Sequence, residues 1–117
     1  MNRITLTDHS LTVEPAGLDK LWSFRSALDI PLAEVRGATH DPGMIDEPKG
    51  LRAPGLHTGS KVAGTYRRDG KKDFWNVSGR ADIVVIQLDG SGEYDRLVLS
   101  VDDPAQVVDR INDAARQ

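Results

Sequence analysis

Apolar and polar residues alternate along most of the chain with a period of two, the spacing of a strand with one buried face. Ile4 and Leu6 alternate with Arg3, Thr5 and Thr7, which predicts a strand over Arg3–Thr7. Asp8-His9 suits a tight turn, and Leu11 and Val13 then alternate with Ser10, Thr12 and Glu14. Together these predict an opening hairpin that ends at Pro15-Ala16-Gly17. Leu18, Leu21 and Trp22 fit one helical turn, while Leu21–Phe24 fits an extended chain equally well. Ser26–Pro31 and Val35–His40 read as extended on either side of a bend at Pro31-Leu32-Ala33-Glu34.

The second half is patterned more sharply. Val62–Arg68 and Lys72–Ser78 flank Asp69-Gly70, a hairpin signal because a two-residue type I′ turn needs positive φ at both central positions. Ala81–Leu88 contains Ile83-Val84-Val85-Ile86, apolar on both faces, as in a strand covered on both sides. Gly90-Ser91-Gly92 turns the chain into Asp95–Val101, where Leu97, Leu99 and Val101 share a face. The period then changes to that of a helix. Asp103 stands at the capping position, Pro104 at the first turn and Gln106 at the capping-box spacing. Val107, Val108, Ile111, Ala114 and Ala115 form one apolar stripe, with Asp109, Arg110, Asn112, Asp113 and Arg116 opposite. A single amphipathic helix after many strands must bury its stripe against a sheet or a barrel mouth.

Between the halves, Asp41–Ser60 holds Pro42, Pro48, Pro54, Gly43, Gly50, Gly55 and Gly59, and reads as a long crossing loop. Loops beyond about 12–15 residues are uncommon in compact domains and are usually functional or mobile. Met44, Ile45, Leu51 and Leu56 are the residues that would pin it to the body.

Composition narrows the class. The 117 residues suit one domain over the whole chain, and 38% hydrophobic content is enough for a core. No Cys is present, which excludes a disulfide framework, thiolate zinc sites and cysteine nucleophiles. A net charge of −3 argues against a general polyanion binder, although a local basic patch remains open, and no specific nucleic-acid partner is expected. Met1–His9 lacks the apolar core of a signal peptide, and Ile83–Leu88 is far short of the roughly 20 residues that span a bilayer. A cytoplasmic location is the expectation.

The order of elements, namely strands, a Pro/Gly-rich crossing, a meander and one capped helix, resembles small bacterial domains with a pleckstrin-homology-like (PH-like) barrel. Ile30-Pro31-Leu32-Ala33-Glu34-Val35 entering a strand and Arg52-Ala53-Pro54-Gly55 ahead of Gly64-Thr65-Tyr66 carry the likeness. Phe74-Trp75, Val84-Val85-Ile86 and the junction Leu97–Pro104 complete it. The resemblance implies a mainly β (α+β) fold: two roughly orthogonal antiparallel sheets of seven or eight strands, with the C-terminal helix closing one end. It also implies a platform for peptides, proteins or lipid headgroups, with no cofactor and no catalytic residues. Thr7-Asp8-His9-Ser10 lacks the Lys/Arg cluster that phosphoinositide phosphates would need.

Three sets of residues carry candidate chemistry. Arg67, Arg68, Lys71 and Lys72 surround Asp69-Gly70, with Lys61 nearby. Four cations at one tip suit an anionic lipid surface, a phosphorylated peptide or RNA, while the bland reading is a solubilising turn. Trp75 and Tyr66 would join that surface if exposed, and would be core residues otherwise. His40, Asp41 and His57, with Asp46 and Glu47, bracket the crossing. Two imidazoles and a carboxylate suit a divalent metal, but their separation matches no standard ligand spacing, and no metal is expected. Gly55–Lys61 fails as a phosphate loop, because three residues separate its glycines and a strand follows. Asp89-Gly90-Ser91-Gly92-Glu93 reads as a turn rather than a calcium loop. No strand–turn–helix nucleophile elbow is present.

The expectation is therefore a non-enzymatic module that binds a protein or peptide, or self-assembles as an oligomer, through a strand edge or the groove beside the C-terminal helix. The alternatives are an anionic-surface adaptor using the basic hairpin 67–72, and a small-ligand barrel or metal-dependent hydrolase around 40–60.

Overall fold

Alternation sets the first sheet. In the computed structural model, which describes residues 2–15, 27–43, 51–58, 61–68, 70–78 and 82–116, β1 (Asn2–Leu6) and β2 (Ser10–Pro15) form the expected antiparallel hairpin. Thr7 closes its turn: the Thr7 N–H donates to the Ser10 carbonyl (2.9 Å), and the Thr7 hydroxyl accepts the Ser10 N–H (3.0 Å). The third strand, β3 (Leu28–Pro31), pairs with β2 and completes a three-stranded antiparallel sheet. Ile4, Leu6, Leu11, Val13, Leu28 and Ile30 face inward, while Arg3, Thr5 and Asp29 face solvent.

A single 3-10 turn over Leu32–Glu34 leads into β4 (Val35–His40), as the bend at Pro31–Glu34 predicts. The second sheet has six strands: β4, β5 (Leu51–Thr58), β6 (Lys61–Arg68), β7 (Lys71–Ser78), β8 (Ile83–Leu88) and β9 (Arg96–Ser100). Their spatial order is β4-β8-β9-β7-β6-β5. The β6–β7 hairpin has the expected register, with Arg68 opposite Lys71 and Gly70 at φ +79°. The helix α1 (Pro104–Ala115) ends the described chain and buries Val107 and Ile111 from its stripe.

The architecture corrects four expectations. First, residues 51–58 are not loop but an eight-residue edge strand, paired with β6 through a bulge between Arg52 and Gly55. An edge strand has one free side, so it tolerates a proline such as Pro54 that an interior strand would not. Second, there are nine strands among the described residues rather than seven or eight, and neither sheet closes on itself.

Third, the larger sheet is not wholly antiparallel. The strand β9 inserts between β7 and β8, antiparallel to β8 and parallel to β7. Apolar side chains on both of its faces explain the central place: Leu97, Leu99 and Val101 face one way and Val98 the other, all buried. Fourth, Asp103 occupies the N-cap position of α1 in the left-handed region (φ 53°) and makes no side-chain cap bond. The predicted capping box therefore does not form at this helix start.

Central strands of the large sheet are buried on both faces, as Ile83–Ile86 predicts. One face, with Phe74, Val84, Ile86, Leu97 and Leu99, meets the small sheet and α1 to form the main core. The other carries Val62, Tyr66, Trp75, Val77, Ile83, Val85 and Val98. Buried polar side chains join the two sheets. The Asn2 amide donates to the carbonyls of Asn76 (3.0 Å) and Ser100 (2.9 Å), and its oxygen accepts the Asn76 amide (2.7 Å). Replacing Asn2 with leucine removes these three buried hydrogen bonds, at a cost of about 3 kcal/mol, the order expected when buried polar groups lose their bonds. Urea unfolding of Asn2→Leu is expected to show a lower midpoint with an unchanged m-value.

Candidate functional site

Alternation along β1 decides what its outer edge offers. The Thr7–Ser10 pair is hydrogen-bonded, so the main-chain groups of Thr5 and Arg3 also face β2. Those of Asn2, Ile4 and Leu6 face away. Among the described residues only one bridge meets that side, between Asn2 and Val101.

The helix lies alongside this edge. A cavity of about 390 Å³ separates Arg3 and Ile4 from Gln106, Val107 and Arg110, with Asp102 and Asp103 at its end. A second, separate cavity, about 660 Å³, lies between the β1–β2 turn (Thr7, Asp8, His9), Leu32, Ala33 and Val35 at the entry to β4, and Ala114 and Ala115 at the helix end. Strand and helix thus run in the same direction, and the seam between them is open at their starts, in the first cavity. Their lengths match, at about 17 Å for five extended residues and about 18 Å for twelve helical ones. Exposed Arg3 and Arg110 are balanced by exposed Asp102 and Asp103, so the seam has both signs of charge and no strong field.

The other side of α1 is held by a side chain. There Asn112 lies against β4, an edge strand of the large sheet, and bonds the main chain of Ala38. The helix therefore leans on β4 and leaves β1 uncovered.

The basic hairpin is divided by its own register. Arg67 stands opposite Lys72, and Arg68 opposite Lys71, at successive positions of the ladder. Successive positions point to opposite faces of a strand, so Lys71 and Lys72 do not share one surface. Arg67 and Lys71 are exposed. Lys72 is half-buried, 3.8 Å from the Glu93 carboxylate and over the Tyr94 ring at 5.2 Å. Trp75 and Tyr66 are core residues, stacked edge to face at 6.2 Å, and offer no ring to a surface ligand at the hairpin.

His40 and Asp41 are exposed at the end of β4, while His57 lies in β5 at the opposite edge of the sheet, with four strands between them. The fold does not bring these strands together. Among the described residues no group of three His, Asp or Glu side chains converges on a metal position. Asp46 and Glu47 lie outside the described residues.

Two further features escape sequence reading. Asp73, fully buried, holds the Nε of Arg96 at 3.0 Å where β7 and β9 begin their parallel ladder. Beside them, Lys71, Gln87, Asp89 and Asp95 line a small depression of about 200 Å³. The Asp89–Glu93 stretch is the turn between β8 and β9. There the hydroxyl (2.6 Å) and N–H (2.9 Å) of Ser91 hold the Asp89 carboxyl below its ordinary value. A parallel pairing of distant strands leaves no local signal, which is why neither Asp73 nor Arg96 stands out in the sequence.

Comparison with known protein families, with curated proteins and with solved structures finds no match to this chain. The site therefore rests on its own geometry. Because Lys71 and Lys72 do not share one surface and Lys72 is engaged, charge reversal at Arg67→Glu/Lys71→Glu is expected to leave flotation with phosphatidylserine vesicles at its wild-type level in physiological salt.

Proposed function

We propose that this chain is a non-enzymatic binding module of PH-like type, which takes an extended segment of a partner protein into the seam between β1 and α1. The segment adds as a strand to the outer edge of β1, and the helix walls its other side. Two sheets packed face to face with one C-terminal helix support the PH-like reading, although both sheets are open and β9 runs parallel to β7.

One observation carries the function. The main-chain groups of Ile4 face away from β2, beside a cavity of about 390 Å³ whose other wall is Gln106, Val107 and Arg110 of α1. Strand addition supplies affinity through main-chain bonds, and side-chain cavities on either side select sequence. The mixed charge of Arg3, Arg110, Asp102 and Asp103 suits a peptide carrying both signs better than a uniformly acidic or basic one.

The two alternatives lack an equivalent geometry. The metal-dependent reading needs His40 and His57 together, and their strands stand at opposite edges. The anionic-surface reading needs one basic face, and the register sets Lys71 and Lys72 on opposite faces.

Peptides selected from a random display library against the purified protein test the proposal. Their binding is expected to shift the amide resonances of Ile4, Leu6, Val107 and Arg110. Ile4→Pro removes an outward N–H that β2 does not use, so it is expected to weaken binding at least tenfold, while Ile4→Val binds as wild type. Selected peptides that map to β5 or to the β6–β7 hairpin, or that bind Ile4→Pro normally, would overturn it.

A further inference from the structure

The strand β4 is an edge of the large sheet, and an edge strand is a template for pairing with another chain. Its residues Val35, Gly37, Ala38, Thr39 and His40 pair with β8 on one side. On the other side, the Ala38 N–H donates to Asn112 Oδ1 at 2.8 Å, and Asn112 Nδ2 donates to the Ala38 carbonyl at 3.0 Å. A carboxamide has one acceptor and one donor group side by side. In a hydrogen-bonded antiparallel pair, each residue likewise presents one C=O and one N–H to its opposite number. Asn112 thus fills, from a helix, the position that a residue of a neighbouring strand would fill.

We propose that Asn112 is a built-in edge guard, standing in for a neighbouring strand at Ala38 and keeping β4 from pairing with β4 of a second copy of this chain. Self-pairing is the competing state because it is symmetric about Ala38. Two β4 strands placed antiparallel would exchange the same two bonds, Ala38 N–H to Ala38 C=O, that Asn112 now makes. The small Ala38 side chain is buried and offers no steric obstacle, and Pro is absent from β4. Gly37 sits beside the clamp, and a Cβ built there would lie 3.1 Å from Asn112 Oδ1, so helix and strand approach closely at this point.

The consequence reaches the binding seam without depending on it. With β4 occupied by α1, β1 is the uncovered edge next to the helix. The guard would decide which edge is open even if no peptide ever bound to β1.

Asn112→Ala and the near-isosteric Asn112→Asp test the idea, the second keeping an acceptor but setting a carboxylate against the Ala38 carbonyl. Alanine is the better helix former, so helix propensity alone would not weaken α1 in the first variant. Two measurements are made on each: amide hydrogen exchange at Ala38, with the β8-facing Thr39 amide as internal reference, and light scattering over a concentration series. The expected result for Asn112→Ala is exchange at Ala38 at least tenfold faster with Thr39 unchanged, and self-association at concentrations where the wild type stays monomeric. In Asn112→Asp the acceptor remains, so Ala38 stays protected while the lost donor lowers the thermal midpoint. Should Asn112→Ala fail to fold, the wild type carries the test, since its Ala38 amide must be protected in the monomer. An unprotected Ala38 amide in the wild type, or an Asn112→Ala protein that keeps both Ala38 protection and the wild-type assembly state, would overturn the proposal.

Discussion

Pairing between β7 and β9 is the constraint on which the rest of the structure depends. It is a parallel ladder of four residue pairs between strands separated by the whole of β8. Parallel neighbours cannot be joined by a tight turn, so β8 must leave β7, pass beyond the place of β9 and return. That detour puts β9 in the middle of the sheet, with β8 and β7 on its flanks, and buries all three on both faces. Both ends of the ladder are closed by polar side chains. At the start, Asp73 holds Arg96. Where the ladder ends, the Ser100 hydroxyl accepts the Ser78 N–H at 2.9 Å, and Asn2 reaches in from β1 to bond the carbonyls of Asn76 and Ser100. A buried network of this kind stabilises only when every member is satisfied, so it also sets the register of β1 against the large sheet.

From that register follows the position of the helix. The chain leaves β9 at Val101, bridges to Asn2, and enters α1 within three residues. The helix start is therefore held beside the start of β1, while Val107 and Ile111 bury themselves in the main core. Its other flank meets β4, where Asn112 bonds Ala38. One side of α1 is thus committed to a strand edge through a side chain, and the other faces an edge with space between them.

Local chemistry made several elements legible in the sequence. Asp69-Gly70 between alternating segments sufficed for the β6–β7 hairpin, because the turn and its register are decided within a few residues. The apolar stripe of α1 and the doubly apolar run Ile83–Ile86 likewise announce what they bury. The Asp41–Ser60 stretch misled because Pro54 and Gly55 are loop residues by composition, whereas position at a sheet edge lets a strand carry them through a bulge. Asn112 looked like one more polar residue on the outer face of the helix. Only the approach of β4 shows that its amide is a partner for main chain.

The sequence by itself determined the periods: strands through most of the chain, a helix at its end, and the turns that punctuate them. These depend on side-chain spacing and φ preference, which are properties of neighbouring residues. Tertiary structure alone decided strand order, and with it the geometry of the candidate site. The order placed the strands of His40 and His57 on opposite edges, set Lys71 and Lys72 at successive positions of the hairpin, and turned Trp75 into core. It also left β1 open beside α1 while β4 was filled. The physical reason is that pairing between distant strands is chosen by total burial and by the satisfaction of main-chain groups across the whole sheet, and no short stretch of sequence contains either quantity.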